Sequence, residues 1–152
     1  MIYFRLIEQL PGRTPLGYGM AGGRWNSLGT PMIYGCSCSA LNFLELLSIK
    51  GSIVTASSWL LVMLEIIGEV PALSADGLPE NWRIRPYPYT TQQFGTQWAK
   101  DKLSPVLKVP SCRIPISRFP EEHNLLINPL HEEFQKMVKL VKLENVSFEV
   151  NH

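Results

Sequence analysis

Arg24 and Glu45 bracket the stretch GGRWNSLGTPMIYGCSCSALNFLE, residues 22–45, and no other charged side chain lies between them. An isolated arginine and an isolated glutamate, each in apolar or glycine-rich sequence, both need a compensating partner, because burying an unpaired charge is costly. Anionic ligands are one source of such partners. A guanidinium grips phosphate or carboxylate through two parallel hydrogen bonds, and Gly22 and Gly23 beside it allow close backbone approach. Glu45 is the single acid of an apolar helical run, and is either a carboxylate at the core boundary paired with a structural arginine or one lining a cleft. Tyr34 can either pack in the core with its hydroxyl satisfied or offer its ring to a ligand. Ser111, between Pro110 and Cys112, reads by itself as a turn hydroxyl. The competing reading makes the chain a non-catalytic interaction module, with Arg24 and Glu45 bridging one another inside the core.

Other chemistries find no foothold. There is no GxSxG elbow, no P-loop and no GxGxxG after a strand. Cys36, Cys38 and Cys112 are an odd set without a CxxC spacing, and His123, His131 and His152 form no HExxH, so no metal is expected. A net charge of +1 gives no electrostatic footprint for direct nucleic-acid binding. The amino terminus lacks a signal-peptide pattern, and the most apolar window, residues 53–67, is too short to span a membrane and contains Glu65. A cytoplasmic protein without membrane contact is expected.

At 152 residues the chain is read as one domain, residues 1–152, able to bury a core unaided. Residues 2–7 read as a first strand with Arg5 inside it, and residues 11–23 as a Gly/Pro-rich loop. A short strand over 32–35 follows Pro31. A helix is expected from Ala40 to Ile49, capped by Ser39, stopped at Gly51, and apolar enough all round to be buried on most faces. Residues 59–68 suit a buried strand, and 74–88 a loop. A helix is expected over 90–102, with Thr90 or Thr91 as its cap. Strands are expected in 105–116 and 124–128, a short helix over 131–138, and a final strand over 143–150. Without a βαβ rhythm, this mixture reads as α+β.

Arg24-Trp25-Asn26 after two glycines, Gly29-Thr30-Pro31 leading to Ile33-Tyr34, then Ala40 and Glu45, resemble the opening signature of the RES domain family, named for its Arg, Glu and Ser. Val109-Pro110-Ser111 with Pro115, and Asn124-Leu125-Leu126-Ile127-Asn128-Pro129-x-His131, continue the resemblance in the same order. It implies the toxin half of a bacterial type II toxin–antitoxin pair, in a compact single domain with a mixed, largely antiparallel sheet like that of ADP-ribosyltransferases. It further implies action on NAD as substrate rather than cofactor, by phosphorolysis or hydrolysis of the nicotinamide–ribose bond, or else by ADP-ribosyl transfer to a host protein. The implied catalytic residues are Arg24, Glu45 and Ser111, with Arg5, Arg24, Tyr34 and Ser111 binding substrate. Inorganic phosphate is one candidate acceptor. The implied partner is a cognate Xre-like helix-turn-helix antitoxin, through which any DNA contact would run.

Overall fold

The computed structural model describes residues 1–150; residues 151 and 152, the end of the expected domain, lie outside the described residues. Six strands form one sheet: β1 (Ile2–Glu8), β2 (Ile33–Cys36), β3 (Trp59–Ile66), β4 (Val106–Val109), β5 (Asn124–Ile127) and β6 (Val138–Val146). Their order is β4-β5-β2-β1-β3-β6. Every strand pairing is antiparallel, and the parallel element is an isolated bridge between Ala72 and Lys108. The α+β reading holds, and the mixed sheet resolves into an antiparallel one. Among the described residues three α-helices accompany it: α1 (Ser39–Lys50), α2 (Tyr89–Asp101) and the single turn α3 (Phe134–Met137).

The sheet separates two apolar layers. Tyr3, Ile7, Ile33, Val62, Leu64, Ile66 and Ile127 form one cluster, closed by Leu16, Val70, Phe134 and Met137. A second cluster joins Val54, Trp59 and Phe148 to Phe43, Leu46 and Leu47 of α1. The third is rich in tryptophan: Trp25, Trp82 and Trp98 meet Met32, Leu107, Val109 and Leu126. It fastens α2 and the loop around Arg24 to the β4–β5 side.

Several expected boundaries move. Helix α1 begins at Ser39 itself, with Cys38 in the capping position and no side-chain cap bond, whereas Gly51 stops it at a φ of +67°. Helix α1 is not buried on most faces: Leu41 is buried, but Leu44 is 39% and Ile49 64% exposed. Helix α2 follows Pro88 rather than a capping threonine. The expected helix over 131–138 shrinks to α3, and β6 starts five residues before the expected 143. Its apolar residues Val138, Leu140, Val141 and Leu143 do not alternate, because the register shifts opposite Met63 and Leu64. A bulge of that kind lets an extra residue join a strand while breaking the two-residue period.

The Asn128 and His131 end of the NLLINPxH motif is structural. Asn128 Nδ2 donates to the Ala99 carbonyl at 3.0 Å, and His131 Nε2 to that of Lys102 at 2.9 Å, tying the end of β5 to the end of α2. At the other end of β5, buried His123 has Nδ1 2.7 Å from the Pro120 carbonyl and Nε2 2.8 Å from the Tyr3 hydroxyl. A carbonyl only accepts, so Nδ1 carries the proton and Nε2 accepts from Tyr3. Burial lowers the His123 pKa and pushes that of Tyr3 up to about 12.

Folding therefore favours neutral His123, while the unfolded chain takes up a proton near the ordinary histidine value of about 6.5. Below that pH the unfolded state binds more protons, and stability falls as the pH drops toward the lowered folded value. Thermal melts at pH 7.5, 6.5 and 5.5 should show a steady loss of Tm on acidification. In His123→Gln that slope should flatten, and an unchanged slope would rule out His123 as its source.

Candidate active site

A cavity of about 690 Å³ opens between the Arg24 loop, β1, β2, α1 and the segment before α2. Arg5, Arg24, Tyr34 and Glu45, distant in sequence, all line it. Ser111, the remaining expected site residue, does not; it is 2% exposed and lies behind Glu45.

Glu45 is held from several sides. Its Oε1 accepts a short hydrogen bond from the Ser111 hydroxyl and another, 2.8 Å long, from Asn124 Nδ2. Its Oε2 lies 3.6 Å from Arg113 Nε, and the two side chains are 17% and 10% exposed. The Ser111 oxygen in turn accepts from the Arg113 backbone N–H at 3.1 Å. Ser111 therefore orients the acid from behind the cavity wall. The bridged pair of the interaction-module reading is not formed: the ion pair of Glu45 is with Arg113, while Arg24 Nη1 donates to the carbonyls of Trp82 (2.7 Å) and Ile84 (3.0 Å).

The Arg24 loop is fixed by α2. Gln92 Nε2 donates to the Gly23 and Asn26 carbonyls, Thr96 Oγ1 accepts from the Ser27 N–H, and Gly95 lies against the Trp25 backbone. Residues 92, 95 and 96 share one helical face at these spacings. Trp25 adds an edge-to-face contact with Phe94, ring centroids 5.9 Å apart. Inside the loop, Asn26 Nδ2 donates to the Ala21 and Thr30 carbonyls, both at 2.9 Å.

Tyr34 has its hydroxyl satisfied and also lines the cavity. Its hydroxyl donates to Asn26 Oδ1 and accepts from the Trp25 N–H at 3.1 Å, while its ring faces the cavity wall. Burial pushes its pKa well above the ordinary value. A Cβ on Gly23 would come within 2.7 Å of that hydroxyl, so this glycine serves the tyrosine's docking. Arg5 donates to the carbonyls of Pro15 (2.6 Å) and Gly17 (2.8 Å), clamping the loop that follows β1. Burial and neighbouring Arg13 lower its pKa to about 10, which leaves it a cation at neutral pH.

Sequence reasoning missed Arg85, Tyr87, Arg113, Asn42 and Asn124, all on the cavity wall. Asn124 was read only as part of a motif. With Arg5, Arg24, Arg85 and Arg113 against Glu45, the wall carries four cations and one anion, a net charge of +3. Such a wall attracts an anionic ligand and sets a single carboxylate near it. Among the described residues no group of three His, Cys, Asp or Glu side chains could hold a metal ion, and no helix is long and apolar enough to cross a membrane.

Comparison with known proteins fits this geometry. Residues 4–150 match the RES domain. The chain is 35% identical to "Toxin Res" of Yersinia enterocolitica over 152 residues, covering 98% of this chain and 97% of that one. It is 36% identical over 121 residues to the "Prs ADP-ribosylating toxin" of Sphingobium sp., covering 77% and 72% of the two chains. A "Toxin Res" of Photorhabdus laumondii is 31% identical over 128 residues, with 83% and 78% covered. In three dimensions it matches a chain of the M. tuberculosis MbcT–MbcA toxin–antitoxin complex, with a TM-score of 0.71, 16% identity, and 96% and 84% of the two chains covered.

Proposed function

This chain belongs to the RES domain family, and from that premise we propose that it is a toxin that consumes NAD by cleaving the nicotinamide–ribose bond. The observation that carries the proposal is the placing of one oriented carboxylate, Glu45, in a cavity whose other charged side chains are four arginines. Its volume of about 690 Å³ lies in the range of pockets that take small-molecule ligands. The net positive wall suits a dianionic pyrophosphate.

In the proposed reaction the bond from the ribose carbon to the pyridinium nitrogen breaks, and its electron pair goes to nicotinamide, which leaves neutral. The ribose becomes oxocarbenium-like, and a carboxylate held beside it stabilises that charge as it develops. Glu45 takes this role, fixed by Ser111, Asn124 and Arg113. Arg24, with its Nε and Nη2 outside the contacts to Trp82 and Ile84, grips the pyrophosphate. Arg5 adds positive charge and anchors the neighbouring loop. Tyr34 offers its ring to the substrate, since its hydroxyl is already engaged. An oxygen nucleophile from water or inorganic phosphate then bonds to the ribose carbon and gives up its proton. NAD is here a substrate, and no resident cofactor is invoked.

The name of the Sphingobium relative, an ADP-ribosylating toxin, supports a second reading in which a protein side chain is the acceptor. The test is to incubate the purified chain with labelled NAD, with and without inorganic phosphate, and with cell extract. We expect nicotinamide release in every arm and faster release with phosphate. Label appearing mainly on a protein band would favour transfer instead. No loss of NAD under any condition would reject both.

The toxin–antitoxin title of the solved neighbour supports a partner for this chain as well. We take it to be an Xre-like antitoxin that covers the cavity, at whose edge Ile49 of α1 stands exposed. DNA contact would come through that partner, in the cytoplasm.

A further inference from the structure

We propose that Cys36, acting through Asn124, is a positioning residue for Glu45; this rests on the reading of Glu45 as the acid of the reaction. Cys36 and Asn124 are direct cross-strand partners in the β2–β5 ladder, so the sheet register places their side chains together. The Cys36 thiol donates to Asn124 Oδ1 at 3.3 Å and accepts from Asn42 Nδ2 at 3.2 Å. Asn124 Nδ2 then donates to Glu45 Oε1 at 2.8 Å.

The direction of this chain is forced by its end. A carboxylate only accepts, so the amino group of Asn124 must face Glu45 and its carbonyl oxygen must face the sulfur. That oxygen needs a donor, and a protonated thiol is one. Burial and the nearby Glu45 both raise the Cys36 pKa, which keeps the thiol protonated. Every hydrogen in the run from Asn42 to Cys36 to Asn124 therefore points toward the carboxylate. Hydrogen bonds in such a run reinforce one another.

The consequence is a division of labour around Glu45. Ser111 and Asn124 converge on one oxygen and fix the rotation of the carboxyl group, leaving Oε2 with Arg113. Remove the thiol hydrogen, and the Asn124 carbonyl oxygen loses its donor. The amide is then held only through its bond to Glu45, so it shifts and the carboxyl group shifts with it. The thiol itself need not touch the substrate for this to matter, because displacements of about 1 Å in a reacting group cost large factors in rate.

The experiment compares Cys36→Ala, Cys36→Ser, Asn124→Ala and the Cys36→Ala/Asn124→Ala double variant, with NAD turnover, NAD binding and Tm measured on each. Cys36→Ser keeps a donor to Asn124 and an acceptor for Asn42, and should retain turnover within about threefold. Cys36→Ala should lower kcat about tenfold with KM little changed, the upper end of the scale for losing one hydrogen bond between neutral groups. Asn124→Ala should lower it as much or more. The double variant should be no slower than Asn124→Ala alone, since both changes break one chain. If Cys36→Ala turns over NAD like the parent, if Cys36→Ser is as slow as Cys36→Ala, or if the two alanine effects on kcat multiply, the proposal is wrong. Tm identifies a variant that has merely lost its fold. A parent protein that leaves NAD intact would instead defeat the functional reading, and this proposal with it.

Discussion

Glu45→Gln should lower NAD consumption by a factor on the order of 10²–10³, the scale seen when one preorganised electrostatic contact to a transition state is removed. The substitution keeps the side chain's length and shape, so the cavity stays open and the arginines remain in place. What disappears is the negative charge that the proposed mechanism sets opposite the developing oxocarbenium ion. Binding of NAD should change much less than turnover, because the pyrophosphate contacts assigned to Arg24 do not involve Glu45. Some stability should be lost too, since Arg113, 10% exposed, keeps its charge without a partner. The two effects separate cleanly: turnover is read against enzyme concentration, stability by melting, and binding by the rise in Tm with NAD. A ligand at 100 times its Kd adds about 2.7 kcal/mol to the folded state. In cells the variant should be tolerated where the parent arrests growth. A Glu45→Gln protein that consumes NAD at the parental rate removes the carboxylate from the mechanism. Loss of stability alone, with no response of Tm to NAD in either protein, would return the chain to the class of interaction modules.

The half of the site that could be read in the sequence consists of charges isolated within their local sequence. Arg24 and Glu45 stood out because nothing nearby could neutralise them, and the order of the RES residues joined Ser111 to them. The other half is set by pairings across the fold. Asn124 meets Glu45 across 79 residues, and that meeting depends on the β2–β5 register, which no local pattern encodes. Arg113 was hidden in a proline-punctuated stretch that read as strand, and Arg85 in a segment that read as loop. The helix bearing Glu45 was recognised, but its uniform apolarity gave no sign of which face the sheet would cover. Leu44 and Ile49 therefore looked buried and are not. Strand β6 was misplaced for the opposite reason: a bulge removed the alternation by which strands are recognised. The role of Gly95 was equally invisible, since a glycine within a helical run looks only like a weak point.

Gly95→Ala should be the most damaging single-methyl change in the described chain. A Cβ at this position would stand 1.7 Å from the Trp25 carbonyl oxygen and 2.7 Å from its carbon. Both are backbone atoms, so no side chain can rotate away, and the Arg24 loop and α2 must separate by more than about 1 Å. Helix propensity runs the other way, favouring alanine by about 1 kcal/mol in a helix interior, and is far too small to offset such a clash. Overpacking costs of about 1–3 kcal/mol are typical where neighbours can yield. Here the neighbour is tied down by Gln92 to the Gly23 and Asn26 carbonyls and by Thr96 to the Ser27 N–H. We expect a loss of at least about 3 kcal/mol, or roughly 6–12 °C in Tm for a chain of this size. Gly19→Ala is the control: nothing lies within 4 Å of its added Cβ, and a methyl there should be neutral or stabilise by a few tenths of a kcal/mol through the unfolded state. Because Arg24 directly precedes Trp25, any Gly95→Ala protein that still folds should bind NAD more weakly, with KM raised more than kcat is lowered. The near-ultraviolet circular dichroism of the tryptophan cluster should change with it. A Gly95→Ala protein that melts with the parent and keeps its KM would mean that α2 does not hold the arginine loop in place.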